Sequence, residues 1–218
     1  MNGLYVFALA GDRCEPFERA GHVIEIVRTG TVYAAVERVN RPPTVSEQAL
    51  RDQHQVIAHL HAKLDALLPA RFGAIVDTRE LESLVAQRRD AIAEALQLVR
   101  GRSQMTIRLL GGEAAQAVPP APAASRAASG TDYLESRRAL LSAIPSALSA
   151  ASEAVRSLAV LERFETGRGS TAATLYHLIE RNQVQIYRDL LASVASGDGK
   201  LTVSGPWAPF AFTPDLWT

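Results

Sequence analysis

His22-Val23-Ile24-Glu25-Ile26-Val27-Arg28, then Thr29-Gly30, then Thr31-Val32-Tyr33-Ala34-Ala35-Val36-Glu37-Arg38-Val39 is the stretch that decides the fold class. Two runs rich in β-branched residues flank a two-residue Thr-Gly step, which predicts two antiparallel strands joined by a tight turn. Upstream, Leu4 to Leu9 predicts a buried strand, followed by a loop over Gly11 to Gly21. Downstream, Arg41-Pro42-Pro43 breaks the sheet, and a helix is expected from about Ser46, with Glu47 and Gln48 in its first turn. Leu50, Ile57, Leu60, Leu64, Leu67 and Leu68 form its apolar stripe, and Pro69 is expected to end it. Gly73 to Val76 is strand-length. Asp77 with Glu80 predicts a capped helix whose buried face is Leu81, Leu84, Val85, Ile92, Leu96 and Val99, ended by Gly101. Ser103 to Leu110 returns as a strand with Met105, Ile107 and Leu109 on one face. Strand, hairpin, helix, strand, helix, strand is an α+β layout.

The next stretch differs in composition. Residues 111–130 are mostly Ala, Pro, Gly and Ser, too little apolar area to offset ordering entropy, and read as a linker. A long helix is expected from Thr131 to Leu158, with Leu134, Leu141, Leu148 and Val155 at a seven-residue repeat and Pro145 kinking or dividing it. Val160–Thr166 and Ala172–Glu180 predict a second hairpin around Gly167-Arg168-Gly169. Gln183 to Val194 predicts an amphipathic helix (Val184, Tyr187, Leu191, Val194), and Leu201 to Val203 a closing strand. Helix, hairpin, helix, strand is close to a ferredoxin-like half-unit. The expected division is an N-terminal α+β domain over 1–110, the linker over 111–130, and a C-terminal α+β domain over 131–218, ferredoxin-like with a long helix.

The 218 residues suffice to bury a core, and 23 basic residues balance 23 acidic ones. No global field favours nucleic acid or an anionic membrane. A lone Cys14 forms no internal disulfide, which points to a reducing cytosol. Asp12 and Arg13 follow a run too short for a signal sequence. The Ala/Leu-rich stretch from Leu140 to Leu161 carries Glu153, Arg156 and several serines, so no membrane span is expected. The expected location is cytoplasmic.

Motifs for chemistry are sparse. His54, His59 and His61 share one predicted helix, but their spacings of two, five and seven do not stack two metal ligands on a face. His54 and His61 border the leucine stripe, and His59 is expected on the opposite side. His22 and His177 stand alone in strands. Gly167-Arg168-Gly169-Ser170 lacks the G-K-[ST] ending of a phosphate loop, and no G-x-S-x-G elbow occurs. In Arg71-Phe72-Gly73, Gly73 allows a close backbone approach. Arg71 is expected to pair with a buried carboxylate or to cap the preceding helix, with a ligand contact as the alternative. No catalytic, cofactor or metal site is expected.

The segment Gly205-Pro206-Trp207-Ala208-Pro209-Phe210-Ala211-Phe212 is the least generic part of the chain. Pro206 gives no ladder donor and is expected to stop the preceding strand, and Pro209 to keep the exit extended. Trp207, Phe210 and Phe212 then stand on a stiff backbone, either as a plug over the core or as an anchor for a partner. The segment resembles the G-P-W-P-P-Y-S-F ending of the gas vesicle protein F/L family. Leu67-Leu68-Pro69-Ala70-Arg71-Phe72-Gly73-Ala74-Ile75-Val76, preceded by His54-Gln55-Val56-Ile57, resembles that family's helix running into L-P-x-R-F-G-T-x-F. Asp132-Tyr133-Leu134-Glu135-Ser136-Arg137 resembles its Y-L-x-x-R helix start, and Leu4-Tyr5-Val6-Phe7-Ala8 its opening strand. Ala208, Phe210, Ala211 and Ala74 depart from the pattern, and Thr213 to Thr218 follow it.

The resemblance implies a non-enzymatic accessory protein of gas vesicle assembly and a minor vesicle component. It implies a chaperone-like protein that binds the small, very hydrophobic main shell protein and restrains its aggregation during nucleation, alongside other accessory proteins. F-type and L-type membership both remain open. Trp207, Pro209, Phe210 and Phe212 are the candidate partner-binding residues. Arg71, Phe72, Gly73, Gly205 and Pro206 are the structural motif residues. The alternative is an α+β small-molecule-binding or enzymatic domain pair with a site in the interdomain cleft.

Overall fold

The computed structural model describes residues 3–110, 145–166, 171–194 and 201–217. The chain divides into two compact units, Met1–Gln104 with Pro206–Thr218, and Met105–Gly205.

The first unit is built on β1 (Gly3–Ala10), whose residues from Leu4 onward are all buried. A run without polar alternation is what a strand covered on both faces requires. On one side β1 pairs antiparallel with β4 (Val32–Val39), and on the other with β5 (Leu67–Pro69) and β6 (Ile75–Val76). The β1–β4 register shifts between Val6 and Ala8, and that bulge exchanges the faces. Leu4, Val6 and Leu9 point to one core, and Tyr5, Phe7, Ala8 and Ala10 to the other. The expected hairpin is present: β3 (His22–Thr29) pairs with β4 from Glu25↔Val36 to Thr29↔Val32, and Gly30 turns at φ +59. The region read as a loop also holds a short strand, β2 (Phe17–Arg19), paired with β3.

Helix α1 (Glu47–Lys63) covers one face with Val56, Ile57 and Leu60. Its first turn is capped by Ser46, whose Oγ accepts from the Ala49 N–H at 3.1 Å. Leu50, placed in its buried stripe, is 46% exposed. Leu67 and Leu68 are not helical, because α1 stops at Lys63 with Leu64 already extended. Residues 66–70 are buried without a gap, which a one-faced helix cannot achieve and a strand covered on both faces can. On the other face, α2 (Thr78–Gln87) and α3 (Arg89–Val99) place Leu81, Val85, Ile92, Leu96 and Val99. The Asp77–Glu80 capping box is complete. Where one helix was expected there are two, divided at Arg88 (φ −107, ψ 18); nothing in the local sequence explains the break. Gly101 ends α3 at φ +70 and donates its N–H to the Asp65 carbonyl.

The second sheet has the order β10-β7-β9-β8, from β7 (Arg102–Leu110), β8 (Ala159–Thr166), β9 (Thr171–Glu180) and β10 (Leu201–Trp207). Helices α4 (Ser146–Val155) and α5 (Val184–Val194) complete the succession β-α-β-β-α-β of a ferredoxin-like unit. Its first strand, β7, lies within the residues that the sequence division gave to the N-terminal domain. Met105, Ile107 and Leu109 join Leu148, Ala151, Val155, Tyr187 and Leu191 in one core. Pro145 stands at the start of α4, where its fixed φ is tolerated. The linker (111–130), the first half of the expected long helix (131–144) and the Gly167-Arg168-Gly169 turn lie outside the described residues.

Candidate functional site

The site begins where β10 ends. Pro206 does not stop that strand, which runs on to Trp207. Gly205 adopts φ +121, a conformation that L side chains avoid, and Pro206 is exposed. Trp207 is half-buried, its ring edge-on to His54 of α1 with centroids 5.1 Å apart. Ala208 enters the core on the α1 side.

The exit from Pro209 is not extended. With φ −78 and ψ 56, Pro209 centres a three-residue turn in which the Phe210 N–H donates to the Ala208 carbonyl at 2.8 Å, the geometry of an inverse γ-turn. A 3₁₀ turn over Phe210–Phe212 follows, with the Phe212 N–H donating to the Pro209 carbonyl. Proline suits this position because its ring fixes the required φ. The Thr213 hydroxyl donates to the same carbonyl, and the buried Gln104 side chain accepts the Ala211 N–H at 2.8 Å.

This folding sorts the aromatic residues. Phe212 is 8% exposed and Phe210 39%. Pro209 is buried. Beyond the turn, Leu216 joins the core on the α2/α3 side. Residues 208–216 therefore pass from one core of the first unit to the other.

The Arg71-Phe72-Gly73 loop joins β5 to β6. Arg71 neither caps a helix nor meets a buried carboxylate; its exposed guanidinium lies 3.0 Å from Asp215 Oδ2. Phe72 meets Tyr5 edge-on. Gly73 has φ +86, and a Cβ there would meet nothing within 4 Å. Its role is the left-handed backbone, not close approach. Tyr5 donates to Gln53 Oε1 at 2.6 Å, Gln53 donates to the Ala70 carbonyl, and the Gly73 N–H faces the Tyr5 hydroxyl. Burial pushes the Tyr5 phenol up, so it stays a donor. The loop is thus pinned to both β1 and α1.

The histidines are better connected than their spacing suggests. His22 Nδ1 lies 2.7 Å from Glu37. His61 is buried against the Ser103 hydroxyl. His59 does not face away, but packs on Phe17 with centroids 4.6 Å apart, and burial lowers its pKa.

His177, fully buried, is held between two side chains from different elements. Its Nε2 lies 2.8 Å from Glu162 Oε2 on β8, and its Nδ1 2.6 Å from the Tyr187 hydroxyl on α5. Ser152 of α4 donates to the same Glu162 oxygen. These hydrogen bonds, that of His177 foremost, hold the Glu162 carboxyl below its usual range. Burial, and then the Glu162 charge, push the Tyr187 phenol far up. Because the carboxylate only accepts, Nε2 is the donor, and the second ring nitrogen, Nδ1, shares a hydrogen bond with the Tyr187 hydroxyl. Sequence reading missed this set, since only strand register brings Glu162 opposite His177.

Among the described residues, no three His, Cys, Asp or Glu side chains gather to hold a metal ion. A cleft of about 590 Å³ in the first unit is lined by Gly3, Val39, Arg41, Ile75, Asp77 and Glu80. Its two carboxylates are already engaged in the α2 capping box. No described helix is long and apolar enough to cross a membrane.

The sequence model described as "Gas vesicle synthesis protein GvpL/GvpF" matches residues 3–214. Among solved structures, the chain is similar to the gas vesicle protein GvpF of Anabaena sp. PCC7120, with 16% identity, a TM-score of 0.75, and coverage of 98% of this chain and 97% of that one. It is likewise similar to GvpF of Microcystis aeruginosa, at 14% identity and TM-score 0.75, covering 98% and 100%. A comparison with curated proteins finds no match. At such identities the structural likeness establishes the α+β fold.

Proposed function

Because the chain belongs to the GvpL/GvpF family of gas vesicle synthesis proteins, we propose that it serves gas vesicle assembly by binding the hydrophobic main shell protein through the turn that carries Phe210. The family consists of gas vesicle structural and assembly proteins, so the accessory role follows from membership. The shell contact, the restraint of aggregation during nucleation and the cytoplasmic, vesicle-associated setting are the finer reading.

One observation carries it. Phe210 is 39% exposed on a turn whose neighbours Ala208 and Phe212 are buried. A large ring held outward by a rigid backbone loses little freedom on binding, which favours an anchor. Trp207 and Phe212 hold the turn in place.

Co-expression with the main shell protein tests the reading. Phe210→Ala is expected to leave the melting temperature unchanged and weaken the complex by about 2 kcal/mol, roughly thirtyfold. With no net charge to drive it, the contact is expected to persist at moderate salt. Loss of the complex with salt, or full binding by Phe210→Ala, overturns it.

A further inference from the structure

The family match ends at residue 214, yet the residues that follow are packed. Leu216 is 3% exposed within the cluster containing Leu4, Val6, Leu81 and Ile92, and Trp217 packs at its margin. Asp215 pairs with Arg71 at 3.0 Å, and the Arg71 side chain is 73% exposed. Residues 213–217 belong to neither helix nor strand. An irregular segment thus inserts one aliphatic side chain into an apolar recess whose outer charge is an arginine.

We propose that this recess is a docking site for a partner peptide in which a carboxylate precedes an aliphatic and an aromatic residue, and that Asp215-Leu216-Trp217 is its in-cis occupant. The recess selects the aliphatic side chain by burial. Arg71 sets the direction of the peptide, because only a carboxylate on the correct side of the apolar residue reaches it. The tail is held mainly by the burial of Leu216 and the packing of Trp217; its exposed ion pair adds direction and little affinity. A tethered segment competes at an effective concentration in the millimolar range. A partner segment of the same chemistry displaces it once its concentration divided by its dissociation constant exceeds the tail's effective concentration divided by the tail's own. The inference is independent of the Phe210 contact.

The probe is a fluorescein-labelled peptide of residues 213–218, followed by anisotropy. A chain lacking residues 215 onward, with an unchanged circular dichroism spectrum, is expected to bind it at least tenfold more tightly than the full chain does. A peptide carrying Asp215→Lys is expected to lose most of that binding, and to regain it on a truncated chain carrying Arg71→Glu. Should truncation unfold the protein, the full-length Leu216→Ser variant empties the recess and is expected to gain peptide binding in the same way.

A folded truncated chain that does not bind the peptide overturns the proposal. So does equal binding by the full and truncated chains, or indifference to both charge reversals. Concentration-dependent dimerisation of the full chain that is lost on truncation would make a second copy the occupant, and overturns the partner reading.

Discussion

Tyr187→Phe offers a sharp test of the buried set in the second unit. The substitution keeps the ring and removes only the hydroxyl bonded to His177 Nδ1 at 2.6 Å. Both side chains are fully buried, so water cannot replace the lost partner. An unsatisfied buried donor or acceptor costs about 1–3 kcal/mol. For a chain of this size each kcal/mol lowers the melting temperature by about 2–4 °C, giving an expected fall of roughly 2–12 °C. Thermal melts followed by circular dichroism measure it. Acid adds a second dimension through Glu162, whose pKa is lowered from 4.5 by its hydrogen bonds. A carboxyl with a depressed folded pKa contributes stability that is fully present above its unfolded value and is lost as pH falls through the folded one. Glu162→Gln is therefore expected to melt below wild type at neutral pH, with the gap closing below about pH 4.5. A Tyr187→Phe melt within a degree of wild type, or a Glu162→Gln gap unchanged into acid, would refute the reasoning.

Two further predictions concern the first unit. Phe212→Ala should cost about 3–5 kcal/mol, because the ring is buried, whereas Phe210→Ala should stay within about 0.5 kcal/mol in the same melts; equal shifts would count against the sorting of the two rings. Gly73→Ala should destabilise by about 1–2 kcal/mol through its left-handed backbone alone, since a Cβ there meets no neighbour. Urea titration measures it, and an unchanged midpoint would contradict that account.

Local signals read correctly. The hairpin, the helix start at Ser46, the Asp77–Glu80 box and the Gly101 stop each depend on a few adjacent residues, and each is where the sequence puts it. The errors share a physical cause. Leu67 and Leu68 continue the leucine spacing of α1, and only the β1 edge that receives them makes them a strand. Met105, Ile107 and Leu109 show which face of β7 is apolar but not which sheet it joins, and that depends on partners tens of residues away. Pro206 and Pro209 announce constraint, not shape: the same residues allow a strand continued to Trp207 and a tight turn after it. His177 has no neighbour in sequence to reveal Glu162 or Tyr187. For the candidate site, the aromatic cluster was visible, but its division into Phe212 inside and Phe210 outside was not. Nor was the Arg71–Asp215 pair, whose members are remote in the chain.

The bulge in β1 has a consequence for cooperativity. Since Leu4, Val6 and Leu9 serve one core and Tyr5, Phe7, Ala8 and Ala10 the other, a single strand is the common wall of both. Detaching α1 would wet one side of β1, and detaching α2 and α3 would wet the other. Either event also loosens the face that remains covered, because the same backbone fixes both. The two helical layers of the first unit are therefore not separable foldons, and a substitution made in one is felt as strain by the layer it never touches.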